Sequence, residues 1–117
     1  MTYFTTRYKN FIAGKVKTVN VNNTKVIKSS DNNIHEIQLH GNIIAIVSHD
    51  SIQFTDAGWP TRTTTDRLCD IFHALGLPYS VCRRQHQLWV LNNVTQLYAP
   101  MEYGQLYTIG KGADIMI

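Results

Sequence analysis

Apolar and polar residues alternate along much of the first half of the chain, and that alternation predicts strands. Lys15–Val21 reads as a strand, Asn22-Asn23 as a turn, and Thr24–Lys28 as the returning strand. Asparagine suits such a turn because it tolerates left-handed backbone. Ser29–Asn33 is a polar loop, and His35–His40 alternates with Ile37 and Leu39 on one face. Gly41-Asn42 signals the next turn. Asn42–Ser48 then carries Ile43, Ile44, Ala45, Ile46 and Val47 in succession, the pattern of a central strand covered on both faces. His49-Asp50 turns the chain into Ser51–Thr55, which completes a meander of five strands.

The period changes after Asp56-Ala57-Gly58-Trp59-Pro60, where Gly58 and Pro60 interrupt regular structure. Leu68, Ile71, Phe72 and Leu75 stand at i, i+3, i+4 and i+7, one apolar stripe on a helix of about three turns. Each of these side chains contributes roughly 1.5–3 kcal/mol when buried. The opposite face, with Arg67, Asp70 and Ala74, is expected to stay wet. Thr63 or Thr64 is the expected cap, with Thr63 and Asp66 spaced as a capping box. Gly76 ends the helix and Pro78 prevents its resumption. Tyr79–Arg83 and Gln87–Leu91 form a hairpin with Arg84-Gln85-His86 near its tip. Val94–Ala99 and Gln105–Ile109 are weaker strands, followed by a flexible Gly110-Lys111-Gly112 tail from which Ile115-Met116-Ile117 can dock again. Residues 1–11 interleave aromatics with cations and read as an N-terminal arm or a short helix. The whole is an α+β fold in one domain over residues 1–117, a mainly antiparallel meander with one amphipathic helix packed on a face, then a hairpin and a short C-terminal strand.

At 117 residues with 44% hydrophobic and 16% charged residues, the chain is long enough for one core without staples. No run approaches the ~18 apolar residues of a membrane span. Net charge is only +3, but it is unevenly placed. Residues 1–28 hold six cations and no acid, whereas the rest hold five cations and eight acids. Such a basic quarter favours an anionic partner. Cys69 and Cys82 form no CxxC pair, and the polar, aromatic start lacks a signal-peptide pattern. The expectation is a cytoplasmic protein with free thiols.

The segment Asp56–Leu68 concentrates the candidate chemistry. Thr61, Arg62, Thr63, Thr64 and Thr65 crowd a helix N-terminus, where unpaired amides and the helix dipole already favour an anion. Threonine hydroxyls and the guanidinium of Arg62 or Arg67 add donors suited to phosphate, and Trp59 offers a face for a base. Arg7 and Lys9, beside Tyr8, and Arg83 and Arg84, near His86, are secondary basic contacts. Alternatively, one Thr caps the helix, its neighbours face solvent, and the N-terminal aromatics dock on the sheet. No His pair has metal-ligand spacing, Gly110-Lys111-Gly112 lacks the rest of a phosphate loop, and Cys69 with His73 has no evident orienting acid. Neither a metal, a cofactor nor a catalytic set is expected.

Leu39-His40-Gly41-Asn42-Ile43-Ile44-Ala45, followed by Gly58-Trp59 with Thr61, Thr63, Thr64, Arg67 and Leu68, resembles a pattern in small accessory domains of tailed phages. Those domains carry an HGN strand and then a GWxTxTTxxRL segment that opens a helix. The resemblance spans about residues 37–76, and Cys69 stands where those domains carry Asn. It implies phage origin, and with it action in the host cytoplasm on host machinery or host defence.

Three functions follow as expectations. The first is a non-enzymatic module binding a nucleotide or nucleic acid through Trp59, Thr61, Arg62, Thr63, Thr64 and Arg67. The second is an inhibitor that docks on a host protein through exposed aromatics and an edge strand. The third, a hydrolase or lyase acting on a nucleotide, needs a general base among Asp56, Asp66 and His73. The uneven charge and the sheet edges also permit a homodimer.

Overall fold

Thr2 opens the first helix, its hydroxyl accepting the Thr5 amide at 3.1 Å. In the computed structural model, which describes residues 2–29 and 34–110, helix α1 runs Tyr3–Ile12. Of the two forms left open for residues 1–11, the chain therefore takes the helix. Phe4, Thr5 and Tyr8 share its buried face. Phe4 stacks on Tyr8 with ring centroids 5.6 Å apart. The Tyr8 hydroxyl shares a 2.7 Å hydrogen bond with His35 Nε2.

Strands β1 (Val19–Val21), β2 (Thr24–Lys28), β3 (His35–Leu39), β4 (Asn42–Val47) and β5 (Ser51–Phe54) form the expected antiparallel meander. The first strand is shorter than its pattern predicts. Lys15 still donates its amide to Asn10 O at 2.9 Å, so the chain is leaving α1 where the strand was expected to start. The β3–β4 turn sits one residue earlier than expected. Leu39 pairs with Asn42, which leaves His40 (φ 52°) and Gly41 (φ 81°) as a two-residue turn. His40 holds this conformation through its amide, which donates to Asn23 O at 2.8 Å.

The apolar run in β4 has a different cause from the one expected. The strand is not covered throughout on both faces, since Ile43 is exposed and Ile46 is half-buried. The register shifts between Ile37 and Gln38, with Gln38 opposite Ile43 and Ile37 opposite Ala45. A bulge of this kind places one extra residue against the partner strand. Ile44 and Ala45 consequently both point into the core.

Helix α2 spans Arg62–Ala74. Its cap is Thr61 rather than Thr63 or Thr64, with the Thr64 amide donating to Thr61 Oγ1 at 3.2 Å. Its end is as expected. Gly76 (φ 69°) donates to His73 O, and Leu77 donates to Phe72 O at 2.9 Å, a Schellman arrangement. Leu68, Ile71 and Phe72 are fully buried, and Leu75 is half-buried. Phe72 meets Phe54 edge-on at 5.1 Å. The supposedly wet face is covered, because α1 packs on α2. The side chains of Arg67 and Asp70 are only 14% and 13% exposed and pair at 3.3 Å.

A second antiparallel sheet follows, built from β6 (Tyr79–Arg84), β7 (Gln87–Asn92) and β8 (Tyr98–Met101). Its hairpin turns at Gln85 and His86, both left-handed. The third strand starts four residues later than expected because the Asn92 carboxamide oxygen captures the amides of Val94 and Thr95 and holds them in a turn. Strand β9 (Tyr107–Gly110) then returns to the first sheet and pairs with β5, Phe54 opposite Tyr107. One continuous core, from Phe4 and Tyr8 through Ile44, Leu68 and Leu88 to Ile109, joins both helices to both sheets. The expectations for residues 111–117, and for most of Ser29–Asn33, lie outside the described residues.

Candidate functional site

The connection from β5 to α2 builds the site. Trp59 donates its amide to Asp56 O at 2.9 Å across a turn whose inner residues, Ala57 (φ 56°) and Gly58 (φ 82°), are both left-handed. Ala57 is strained there, since a side chain disfavours this region. The turn is held by Asp56, whose Oδ1 accepts the Gly58 amide and the Gly104 amide, each at 2.7 Å. One carboxylate oxygen thus ties the turn to the loop between β8 and β9. Asp56 is completely buried, and its other oxygen, Oδ2, has no hydrogen-bond partner.

From this turn the chain enters α2. Thr61 caps the helix, and its hydroxyl also lies 3.1 Å from that of Thr64. Thr65 is occupied locally, its hydroxyl donating to Thr61 O at 2.9 Å. The first-turn amides of Arg62 and Thr63 have no preceding helical carbonyl within reach. Beside them opens a cavity of about 370 Å³, walled by Leu39, His40, Asn42 and Ile44 from the β3–β4 hairpin, by Asp56, Ala57 and Trp59 from the turn, and by Thr61, Thr63 and Thr64 from the helix start. Trp59 is 62% exposed and leaves a free aromatic surface at this cavity.

Four of the six residues expected at the site, Trp59, Thr61, Thr63 and Thr64, line this cavity together. The two arginines do not. Arg62 is exposed, 4.0 Å from Asp66. Arg67 is turned into the structure, where Nε donates to Thr24 Oγ1 at 2.7 Å and the guanidinium covers the Phe4 ring at 5.0 Å. It is a structural cation clamping α1, α2 and β2. Arg7 and Lys9 lie half-buried on α1. Arg83 braces the site from outside, with Nε donating to Pro60 O at 2.9 Å and Nη2 lying 2.9 Å from His86 Nδ1. Arg84 lies over the Tyr98 ring.

His40 and Asn42 were not expected as site residues, and Asp56 was expected only as a candidate general base. His40 and Asn42 belong to the HGN half of the motif, and the cavity is where both halves of that motif meet. The sequence signal was their recurrence with Trp59 and the threonines in one pattern. Asp56 gives no such signal, because its burial depends on Gly104, 48 residues away.

Cys69 serves packing. The Cys69 thiol donates to Val81 O and accepts from Val81 N, both at 3.2 Å, satisfying the outer edge of β6. Burial raises its pKa above the ordinary thiol value. Cys82 is exposed and free.

A family model describing the Kyanoviridae Gp96 protein matches residues 1–110. The chain belongs to the Kyanoviridae Gp96 protein family. It is therefore a phage protein, and the match takes in all three segments that wall the cavity. No curated protein and no solved structure matches it. Among the described residues, no helix is long and apolar enough to cross a membrane.

Proposed function

We propose that this Gp96-family protein is a non-enzymatic binding module whose cavity at the start of α2 takes a small nucleotide. The observation that carries this reading is the convergence of the Trp59 face, the Thr61, Thr63 and Thr64 side chains and the helix N-terminus on one concave site of about 370 Å³, within the range of small-molecule sites. A base stacks on Trp59. A phosphate lies at the first-turn amides with the Thr63 hydroxyl, and Arg62 supplies charge from the rim. Arg67 takes no part in contact, since it lies outside the cavity wall with Nε on Thr24 and Nη1 on Asp70. A concave site of this size suits a mononucleotide or one unit of a larger nucleotide better than a continuous nucleic-acid strand. In a phage, such a module sequesters a nucleotide signal of the host's defence.

Asp56 also bears on the hydrolase alternative. Of Asp56, Asp66 and His73, only Asp56 lines the cavity, and one of its oxygens already holds two backbone amides. That is the work of a scaffold residue, which favours binding over turnover.

A thermal-shift panel at low salt with mononucleotides, cyclic di- and trinucleotides and short oligonucleotides tests the proposal. Ligand at ~100 times its Kd stabilises the fold by roughly 2.7 kcal/mol, a rise on the order of 10 °C at this size. Trp59→Ala and Thr63→Ala are expected to abolish the shift, and Trp59 fluorescence is expected to be quenched by the stacked base. A flat panel overturns the nucleotide reading. It would favour the protein-docking alternative, which rests on the exposed Val94, Leu97, Tyr98 and Tyr103 around edge strand β8.

A further inference from the structure

The cavity holds a feature that a purely anionic ligand leaves unexplained. Asp56 is completely buried, lines the cavity, and keeps one oxygen without a partner. A buried acceptor without a donor is unfavourable, by more when it is charged. A carboxylate there also opposes any ligand that is only an anion. The apolar wall beside it, formed by Leu39 and Ile44, supplies no donor. The residues around the cavity are thus of two chemically opposite kinds, helix amides and hydroxyls that favour an acceptor, and a buried carboxylate with one oxygen that lacks a donor.

We propose that Asp56 Oδ2 selects the ligand by accepting one N–H, so that the cavity prefers nucleobases carrying an exocyclic amine over those with a carbonyl at that position. This rests on the nucleotide reading of the cavity and specifies the base. Oδ1 is already saturated by the Gly58 and Gly104 amides, so a single donor completes the carboxylate. An exocyclic amine projects beyond the ring and reaches such an oxygen. The ring N–H of uracil is recessed between two carbonyls, whose lone pairs would face the carboxylate. In hypoxanthine a carbonyl likewise flanks the ring N–H. Asp56 is held in place by two amides before any ligand arrives, and because Oδ2 has almost no accessible surface in the unliganded fold, pairing with a ligand N–H requires the cavity wall over it to move.

Two isosteric pairs test this, cytidine against uridine 5′-monophosphate and adenosine against inosine 5′-monophosphate, titrated by Trp59 fluorescence or calorimetry. The amine-bearing member of a bound pair is expected to bind about tenfold more tightly or better, which corresponds to one satisfied buried hydrogen bond. Asp56→Asn keeps Oδ1 as acceptor for both glycine amides, since a flipped carboxamide would set its NH2 against two N–H groups. The other position becomes a donor, and the preference is expected to reverse toward uridine or inosine. The ratio within each variant is the readout, so a loss of stability in Asp56→Asn does not alter it. The wild-type preference is measured before any variant is made. Binding without preference, or an unchanged ratio in Asp56→Asn, overturns the role of Asp56 while leaving the cavity a nucleotide site. Failure of all four nucleotides to bind overturns the nucleotide reading, and this inference with it.

Discussion

Arg67 separates what a residue type suggests from what its surroundings make of it. A guanidinium near a threonine-rich helix start reads as a phosphate ligand. In the fold it bonds Thr24, pairs with Asp70 and covers Phe4. Arg67→Ala is expected to destabilise the protein by about 2 kcal/mol or more, because it leaves Asp70 largely buried without its partner. Arg62→Ala, at an exposed ion pair, is expected to change stability by less than about 0.5 kcal/mol. Urea unfolding of the two variants checks the contrast, and equal losses would refute this account of Arg67. Tyr8 shows the same dependence on surroundings. Burial holds its phenol protonated well above the ordinary 10.0, whereas the unfolded chain releases that proton normally. The stability contributed by neutral Tyr8 is therefore complete below about pH 10 and declines as pH rises beyond it, by up to ~1.4 kcal/mol per pH unit. Tyr8→Phe is expected to flatten this alkaline decline, as measured by unfolding at pH 9 and above.

At the scale of elements, helix ends and strand edges account for most of the differences from expectation. Thr63 and Thr64 each stand at the head of an apolar-periodic stretch, and either satisfies a capping rule. The choice of Thr61 follows from the turn before it, which delivers that residue in extended conformation (φ −97°, ψ 167°) with its hydroxyl on the Thr64 amide. Thr61→Ala is expected to cost about 1 kcal/mol of stability. Thr63→Ala, which removes no cap, is expected to leave stability unchanged in the same thermal melts while losing ligand. The edge of β6 is closed by the Cys69 thiol. Its burial and raised pKa make it a poor nucleophile beside exposed Cys82. Iodoacetamide at neutral pH is expected to modify Cys82 readily and Cys69 only on unfolding, which peptide mass spectrometry would read directly.

On the scale of the whole molecule, the cavity is a product of closure. Its walls come from the β3–β4 hairpin, the turn after β5 and the first turn of α2. Asp56 further ties them to the β8–β9 loop through Gly104. Strand β9 pairs with β5, so the C-terminal part of the described chain holds in place the connection that carries Trp59. Gly104 is left-handed (φ 71°), and a side chain at this position would be strained. Gly104→Val is expected to loosen the Asp56 turn and to weaken ligand binding more than it lowers Tm, a difference that paired melting and titration experiments would measure.

The sequence by itself determined the α+β class, the meander, the apolar stripe of α2 with its Gly76 stop, and the hairpin after it, because each depends on periodicity and turn chemistry within a few residues. It also marked Trp59 and the threonines as the segment of interest. Tertiary structure alone decided that Tyr3–Ile12 is a packed helix, that Arg67 faces inward, that Ile44 and Ala45 share a face at a bulge, and that Asp56 is buried with one free oxygen. Those outcomes depend on partners far away in the chain, Phe4 with Arg67 and Asp56 with Gly104. Local pattern records how a segment prefers to fold, whereas burial and pairing across such distances are set only when the elements close on one another.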